Sequence, residues 1–241
     1  GLLSVVAQSD SVAFGSGLLF VVARSGIVPG RHRIAVRIRR CSFLRAAHAY
    51  AAWKLGDDTA YSLGRVTLDP IKHIDPMGTI AMPLMLYFAT GGQFLFGYAK
   101  PVPVQMQRLR SPRRDMALVA LAGPVANLVQ AIVWLTVNVI VLKTGLPAGE
   151  FFERVCQAGA ITNLAMFAFN LFPLLPLDGG RIVNGLLPPQ AAATFARIEP
   201  FGFYIVTVLV IVGFIGQWWM HPIMNVTLTA INWLLSPLLL I

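Results

Sequence analysis

The sequence predicts an all-α fold: a polytopic transmembrane helical bundle with short irregular or β-like segments in its loops. Three observations carry this expectation. Of 241 residues, 56% are hydrophobic and 12% charged, with a mean hydropathy of +0.70. An ordinary soluble domain is about 45–50% apolar and about 25% charged. Several apolar runs approach or exceed the ~20 residues a helix needs to cross a bilayer. The basic residues are also gathered rather than spread: ten lie between Arg24 and Lys72, five between Lys100 and Arg114, and four elsewhere.

The elements follow in order. Residues 12–23 are apolar but short, a weak spanning candidate behind Gln8, Ser9 and Asp10. Residues 30–45 carry six arginines, Arg31, Arg33, Arg37, Arg39, Arg40 and Arg45. Each costs roughly 2.5–3.5 kcal/mol near a helix centre, so this stretch cannot span. Residues 46–55 read as a helix of small residues closed by Gly56 at a C′ position. Residues 57–76 are polar and broken by Gly64, Pro70 and Pro76, hence a loop with room for a short strand at 65–68. Residues 77–98 are apolar, but Gly91, Gly92 and Gln93 in their midst suggest a broken or re-entrant segment. Pro101, Pro103 and Pro112 keep residues 100–114 from forming a continuous helix. Residues 116–142, uncharged throughout, are the clearest transmembrane helix, followed by spans at 155–177, 201–220 and 223–241. By the positive-inside rule the basic loops 24–72 and 100–115 face the cytoplasm, making this an integral, multi-pass membrane protein.

The net charge of +9 admits nucleic acid as a partner, yet in a membrane protein such charge marks cytoplasmic loops, and no nucleic-acid partner is expected. Cys41 and Cys156 form no spacing motif, which excludes a disulfide framework or a thiolate zinc site. There is no initiating methionine, as expected of a fragment.

Chemistry concentrates in N-L-F-P-L-L-P-L-D-G-G-R, residues 170–181. Asp178 follows a strongly apolar run, and an ionisable group at a membrane segment reads as functional by default. A carboxylate is also a zinc-ligand type. The competing reading is a helix-end carboxylate or cap before a Gly-Gly turn. Pro173 and Pro176 disrupt regular helix and free backbone carbonyls, which suits a water-accessible cavity. His48 lies on the helix at 46–55. Two histidines at i, i+4 with a glutamate beside the first make a zinc site with a general base, but here Leu44 and Arg45 precede His48. Taken singly, His48 reads as a structural histidine, and His73, in a polar loop, as a solvated one or a third ligand. In A-G-P-V-A-N, residues 122–127, the small residues permit close helix approach. Asn127 there needs a partner, from a neighbouring helix or a substrate backbone.

In family order, H-A-Y-A-A-W-K-L-G-D-D-T-A, L-G-R-V-T-L-D-P-I-K-H-I-D-P-M-G-T-I, G-Y-A-K-P-V-P-V, A-G-P-V-A-N and N-L-F-P-L-L-P-L-D-G-G-R resemble the site-2 protease family of intramembrane zinc metalloproteases. The resemblance covers about residues 46–187. It implies one zinc ion, held by two histidines of an H-E-x-x-H helix and by the aspartate of the L-D-G motif. It also implies cleavage of a transmembrane or membrane-proximal peptide within or near the bilayer. By position, His48 matches the second histidine and Asp178 the aspartate ligand. Leu44 stands at the first histidine and Arg45 at the catalytic glutamate. Leucine has no lone pair, and arginine is a permanent cation. The resemblance therefore implies weak or absent zinc binding and no intact catalytic residue. Asn127, Asn170 and His73 remain substrate-binding or structural candidates.

The match begins sharply at Ala46, dividing the chain into an atypical arginine-rich stretch, 1–45, and a metalloprotease-like domain, 46–241. An abrupt boundary suits an out-of-frame N-terminal stretch better than gradual decay; the alternative is a pseudoprotease with a replaced N-terminus. Three functions compete: a site-2 type protease whose first catalytic half is lost, a non-catalytic relative that binds membrane segments, and a small transporter. The absence of an internal repeat argues against the third. A shared site requires His48 and Asp178 to meet within roughly 3–5 Å.

Overall fold

The computed structural model describes residues 18–21, 43–64, 95–98, 103–145 and 149–240, with isolated positions between 66 and 88. Among these residues the fold is helical, with one two-stranded antiparallel ribbon. In it β1 (Leu18–Val21) pairs with β2 (Leu95–Tyr98), with Leu18 opposite Tyr98 and Val21 opposite Leu95. Two expectations change here. The core of the 12–23 segment is extended rather than helical, and the last residues of 77–98 form a strand instead of completing a span. Gly91 and Gly92 lie outside the described residues, as do His73 and the ends of the strand expected at 65–68, whose Val66 and Thr67 form a bend.

Helix α1 covers residues 43–54 and ends as the sequence predicts, with Gly56 at φ +114°, a conformation that L side chains rarely adopt. A short α2 (Thr59–Ser62) interrupts the expected loop. After a 3-10 turn at Met106–Arg108, α3 runs from Pro112 to Thr144, 33 residues. It extends past the expected 116–142 at both ends. Pro112 sits at its first turn, where a missing N–H costs nothing, and Asp115 folds back to accept from the Ser111 N–H at 2.7 Å. Gly145, in the left-handed conformation, closes it.

α4 (Gly149–Asn170) stops well before residue 177. Pro173 and Pro176 deny the next turn its N–H donors, so residues 171–177 form an irregular link with a cis Leu175–Pro176 bond. Asp178 therefore opens a new helix, α5 (Asp178–Leu186), instead of closing the preceding one. α6 (Pro189–Ala196) and α7 (Glu199–Ile211) meet at a bend of 64°. The expected span at 201–220 is split: α7 ends, Gly213 turns at φ +77°, and a π-helical turn at Ile215–Met220 leads directly into α8 (His221–Leu240).

Two apolar clusters hold the bundle together. Ala131 and Leu135 of α3 pack with Ala160 and Leu164 of α4 and with Leu228 and Ile231 of α8. Phe169, Phe172 and Leu177 pack with Val206 of α7 and with Ile215 and Met220 of the π turn. The Trp219 indole N–H donates to the Ala168 carbonyl at 2.8 Å, tying that turn to α4. The outer face of α3 is apolar too: Val125, Val129, Val133 and Ile140 are all exposed. Among the described residues one unbroken helix, Pro112–Thr144, is long and apolar enough to cross a membrane, and the bent α6–α7 pair qualifies only when taken as one span.

Candidate functional site

α3 is the wall on which the site is built. Its Val119 carbonyl accepts a hydrogen bond from His48 Nδ1–H of α1 at 2.7 Å. A carbonyl can only accept, so the proton is on Nδ1 and the Nε2 lone pair is left facing the interior. Four residues further along, Gly123 leaves a gap. A Cβ there would stand 2.3 Å from His48 Nε2 and 3.1 Å from Asp178 Oδ2. Glycine is thus required for the imidazole and the carboxylate to meet against the helix, and the small residues of A-G-P admit a side chain rather than only a neighbouring helix.

Asp178 comes from the first turn of α5, where the helix dipole favours a negative charge. The pair Gly179–Gly180 is not a turn. It is the start of the helix, pressed onto the 171–175 link: a Cβ on Gly179 would lie 2.2 Å from the Leu171 carbonyl oxygen, and one on Gly180 2.3 Å from the Leu174 carbonyl carbon. The link thereby fixes where Asp178 projects. His48 Nε2 and Asp178 Oδ2 are 3.4 Å apart, both side chains mostly buried, within the separation a shared site requires. Two ligands at about 2.0–2.1 Å on adjacent corners of a tetrahedron lie about 3.3 Å apart. The pair therefore fits two corners of a zinc site, or an ion pair if the imidazole is protonated.

The donor set goes no further. Among the described residues no group of three or more His, Cys, Asp or Glu could hold a metal ion. Leu44 offers no lone pair, and Arg45, one turn before His48, is buried as a cation. A catalytic zinc takes three protein ligands and a water, so these residues do not fit the complete ion. Asn127 and Asn170 are 2% and 1% exposed, and Asn127 Nδ2 and Asn170 Oδ1 are buried with no hydrogen-bond partner. Asn127 lies one turn beyond Gly123 on α3, and Asn170 is the last residue of α4. Val119 and Gly123 were not singled out from sequence. The signal available was a Gly-Pro pair in the middle of the longest apolar helix.

Comparison of the sequence with known proteins places the chain in a family. The sequence model of Peptidase family M50 matches residues 138–213. The chain is 40% identical over 189 residues to YwhC of Bacillus subtilis, provisionally named a zinc metalloprotease, covering 74% of this chain and 79% of that protein. It is 31% identical over 171 residues to Rip2 of Mycolicibacterium smegmatis and 32% identical over 174 residues to Rip2 of Mycobacterium tuberculosis, both likewise provisionally named zinc metalloproteases. In each Rip2 comparison 71% of this chain aligns, spanning 63% of the relative. No solved structure matches. With that extent of identity to YwhC, the chain belongs to Peptidase family M50, the site-2 protease family of zinc metalloproteases.

Proposed function

We propose that this chain is a membrane-embedded protease of the site-2 type in architecture, in a copy that does not hydrolyse peptides. One observation carries the reading: His48 and Asp178 meet at 3.4 Å over Gly123, while Leu44 and Arg45 occupy the preceding turn. Half of a metal centre is assembled, and the other ligand and the base are replaced by groups that cannot serve. When bound in this family, zinc supplies a Lewis acid and an activated water. Here His48 and Asp178 would hold it weakly, and no side chain among the described residues stands ready as the base.

The membrane placement is supported by α3, whose exposed face is as apolar as its buried one, a pattern that suits lipid rather than water. The substrate class follows from the same placement: a transmembrane or membrane-proximal peptide. Asn127 Nδ2 as donor and Asn170 Oδ1 as acceptor suit the backbone of such a segment, since buried polar groups left unpaired cost about 1–3 kcal/mol each. This also supports a second reading, in which the chain binds membrane segments without cutting them.

The test is reconstitution of the unmodified chain with zinc and a membrane-spanning peptide. No cleavage is expected. Chelator-sensitive cleavage that persists on repurification and disappears in Asp178→Asn would overturn the inactive assignment. Pairing Leu44→His with Arg45→Glu restores the ligand and the base together, and cleavage gained by that pair alone would support it.

A further inference from the structure

Outside the metal half-site, the most unusual surface is at the junction of the α1 C-terminus with the start of α3. Three aromatic rings crowd there, all exposed: Tyr50, Trp53 and Tyr61. Trp53 and Tyr61 stack at 4.9 Å with planes 9° apart, and Tyr50 meets Trp53 edge-on at 5.9 Å. Lys54 Nζ lies over the same rings, 4.9 Å from the Trp53 centroid and 5.6 Å from that of Tyr50. The loop before α3 is bound directly to this cluster, because Arg110 N–H donates to the Leu55 carbonyl at 3.2 Å. Arg110, whose side chain lies against Gly56, is exposed beside it, and Arg114 is exposed on the first turn of α3.

The acids nearby are already engaged. Asp58 pairs with Arg108 at 2.6 Å, and Asp57 is fully buried and bonded to Thr59 and Gln105. Arg113 is turned toward the Asn184 and Leu187 carbonyls at the end of α5. Among the described residues Lys54, Arg110 and Arg114 have no acidic partner, and they stand at the junction with the helix whose outer face is apolar. Aromatic rings of this kind settle at headgroup level, and clustered cations at that depth attract anionic lipid.

We infer that this junction, built by Tyr50, Trp53, Lys54, Tyr61, Arg110 and Arg114, is a binding face for the headgroups of anionic phospholipid. The inference rests on the membrane reading above but not on the state of the metal half-site. Rings flanked by cations also serve as stacking platforms for nucleobases, but the exposed apolar face of α3 that begins at this junction favours a lipid surface.

The experiment uses the full chain in phosphatidylcholine vesicles containing either brominated phosphatidylglycerol or brominated phosphatidylcholine at equal mole fraction. Trp53 emission is obtained by difference from Trp53→Phe. Quenching about twofold stronger by the anionic lipid is expected, falling to parity at high salt in the unmodified protein. Lys54→Gln/Arg110→Gln/Arg114→Gln should also bring it to parity, while Arg197→Gln, an exposed cation on another part of the molecule, should not. Equal quenching by both lipids would overturn the inference while leaving the membrane placement standing. A preference that survives the triple substitution would overturn it as well. No quenching by either lipid would defeat it together with the membrane placement.

Discussion

Gly123 decides whether His48 and Asp178 can meet. His48 and Asp178 were legible from sequence because each carries chemistry and stands in a recognisable motif. Gly123 was not, because a glycine among small residues in an apolar helix is read as helix packing. Only the structure shows that the absent Cβ is replaced by an imidazole. Gly123→Ala is expected to cost about 1–3 kcal/mol, the usual range for overpacking a tight interior. The clash at 2.3 Å is with the His48 ring itself, so the cost should shrink in a His48→Ala background. Thermal unfolding of the two single variants and the double variant in mild detergent measures this coupling. Simple additivity would mean that Gly123 acts through the α3 backbone rather than through the site.

Among the elements, the sequence was read well where one residue closes a helix and poorly where hydropathy runs on across a break. Gly56 ends α1 as expected. The bounds 155–177 and 201–220 followed hydropathy: Pro173 and Pro176 were read as disrupting regular helix but not as ending it at Asn170, and the turn at Gly213 was not anticipated. The junction of α1 with α3 was also missed, since Asp57 read as one polar residue of a loop. It is fully buried. Its Oδ1 accepts from Thr59 N–H at 3.0 Å and from the Thr59 hydroxyl at 2.5 Å, and its Oδ2 from Gln105 N–H at 2.6 Å. Burial alone would raise its pKa; the bonds from Thr59 and Gln105 and the charge of Arg108 outweigh it, and the net shift is downward. The folded state thus holds the proton more weakly than the unfolded chain. This contribution to stability is complete above the unfolded carboxylate pKa of about 3.9 and is lost as pH falls through the lower folded value. Asp57→Asn should cost about 1–3 kcal/mol at neutral pH, because an amide cannot accept all three bonds. It should also flatten the acid limb of stability against pH. An unchanged acid limb would mean that other carboxylates govern it.

For the molecule as a whole, composition together with the length of the apolar runs was enough to identify the helical class. In the proposed membrane placement, the arrangement depends on α3. Its 33 residues span about 50 Å, more than the ~30 Å hydrocarbon core, so both ends reach the interfacial regions. They differ in charge: the N-terminal end carries Arg108, Arg110, Arg113 and Arg114, and the C-terminal end only Lys143. The positive-inside rule then predicts that the basic end lies in the cytoplasm. Gln107 and Thr144 are exposed at opposite ends of the helix and suit a labelling test. In a Cys41→Ser/Cys156→Ser background, Thr144→Cys should react with a membrane-impermeant maleimide in intact bacterial cells. Gln107→Cys should react only after permeabilisation. The opposite pattern would reverse the orientation and move the lipid-binding face and the approach to His48 to the outer side. Protection of both positions until lysis would remove α3 from the set of spanning helices, and the lipid-like exposure of Val125, Val129 and Val133 would then require a protein partner to cover it.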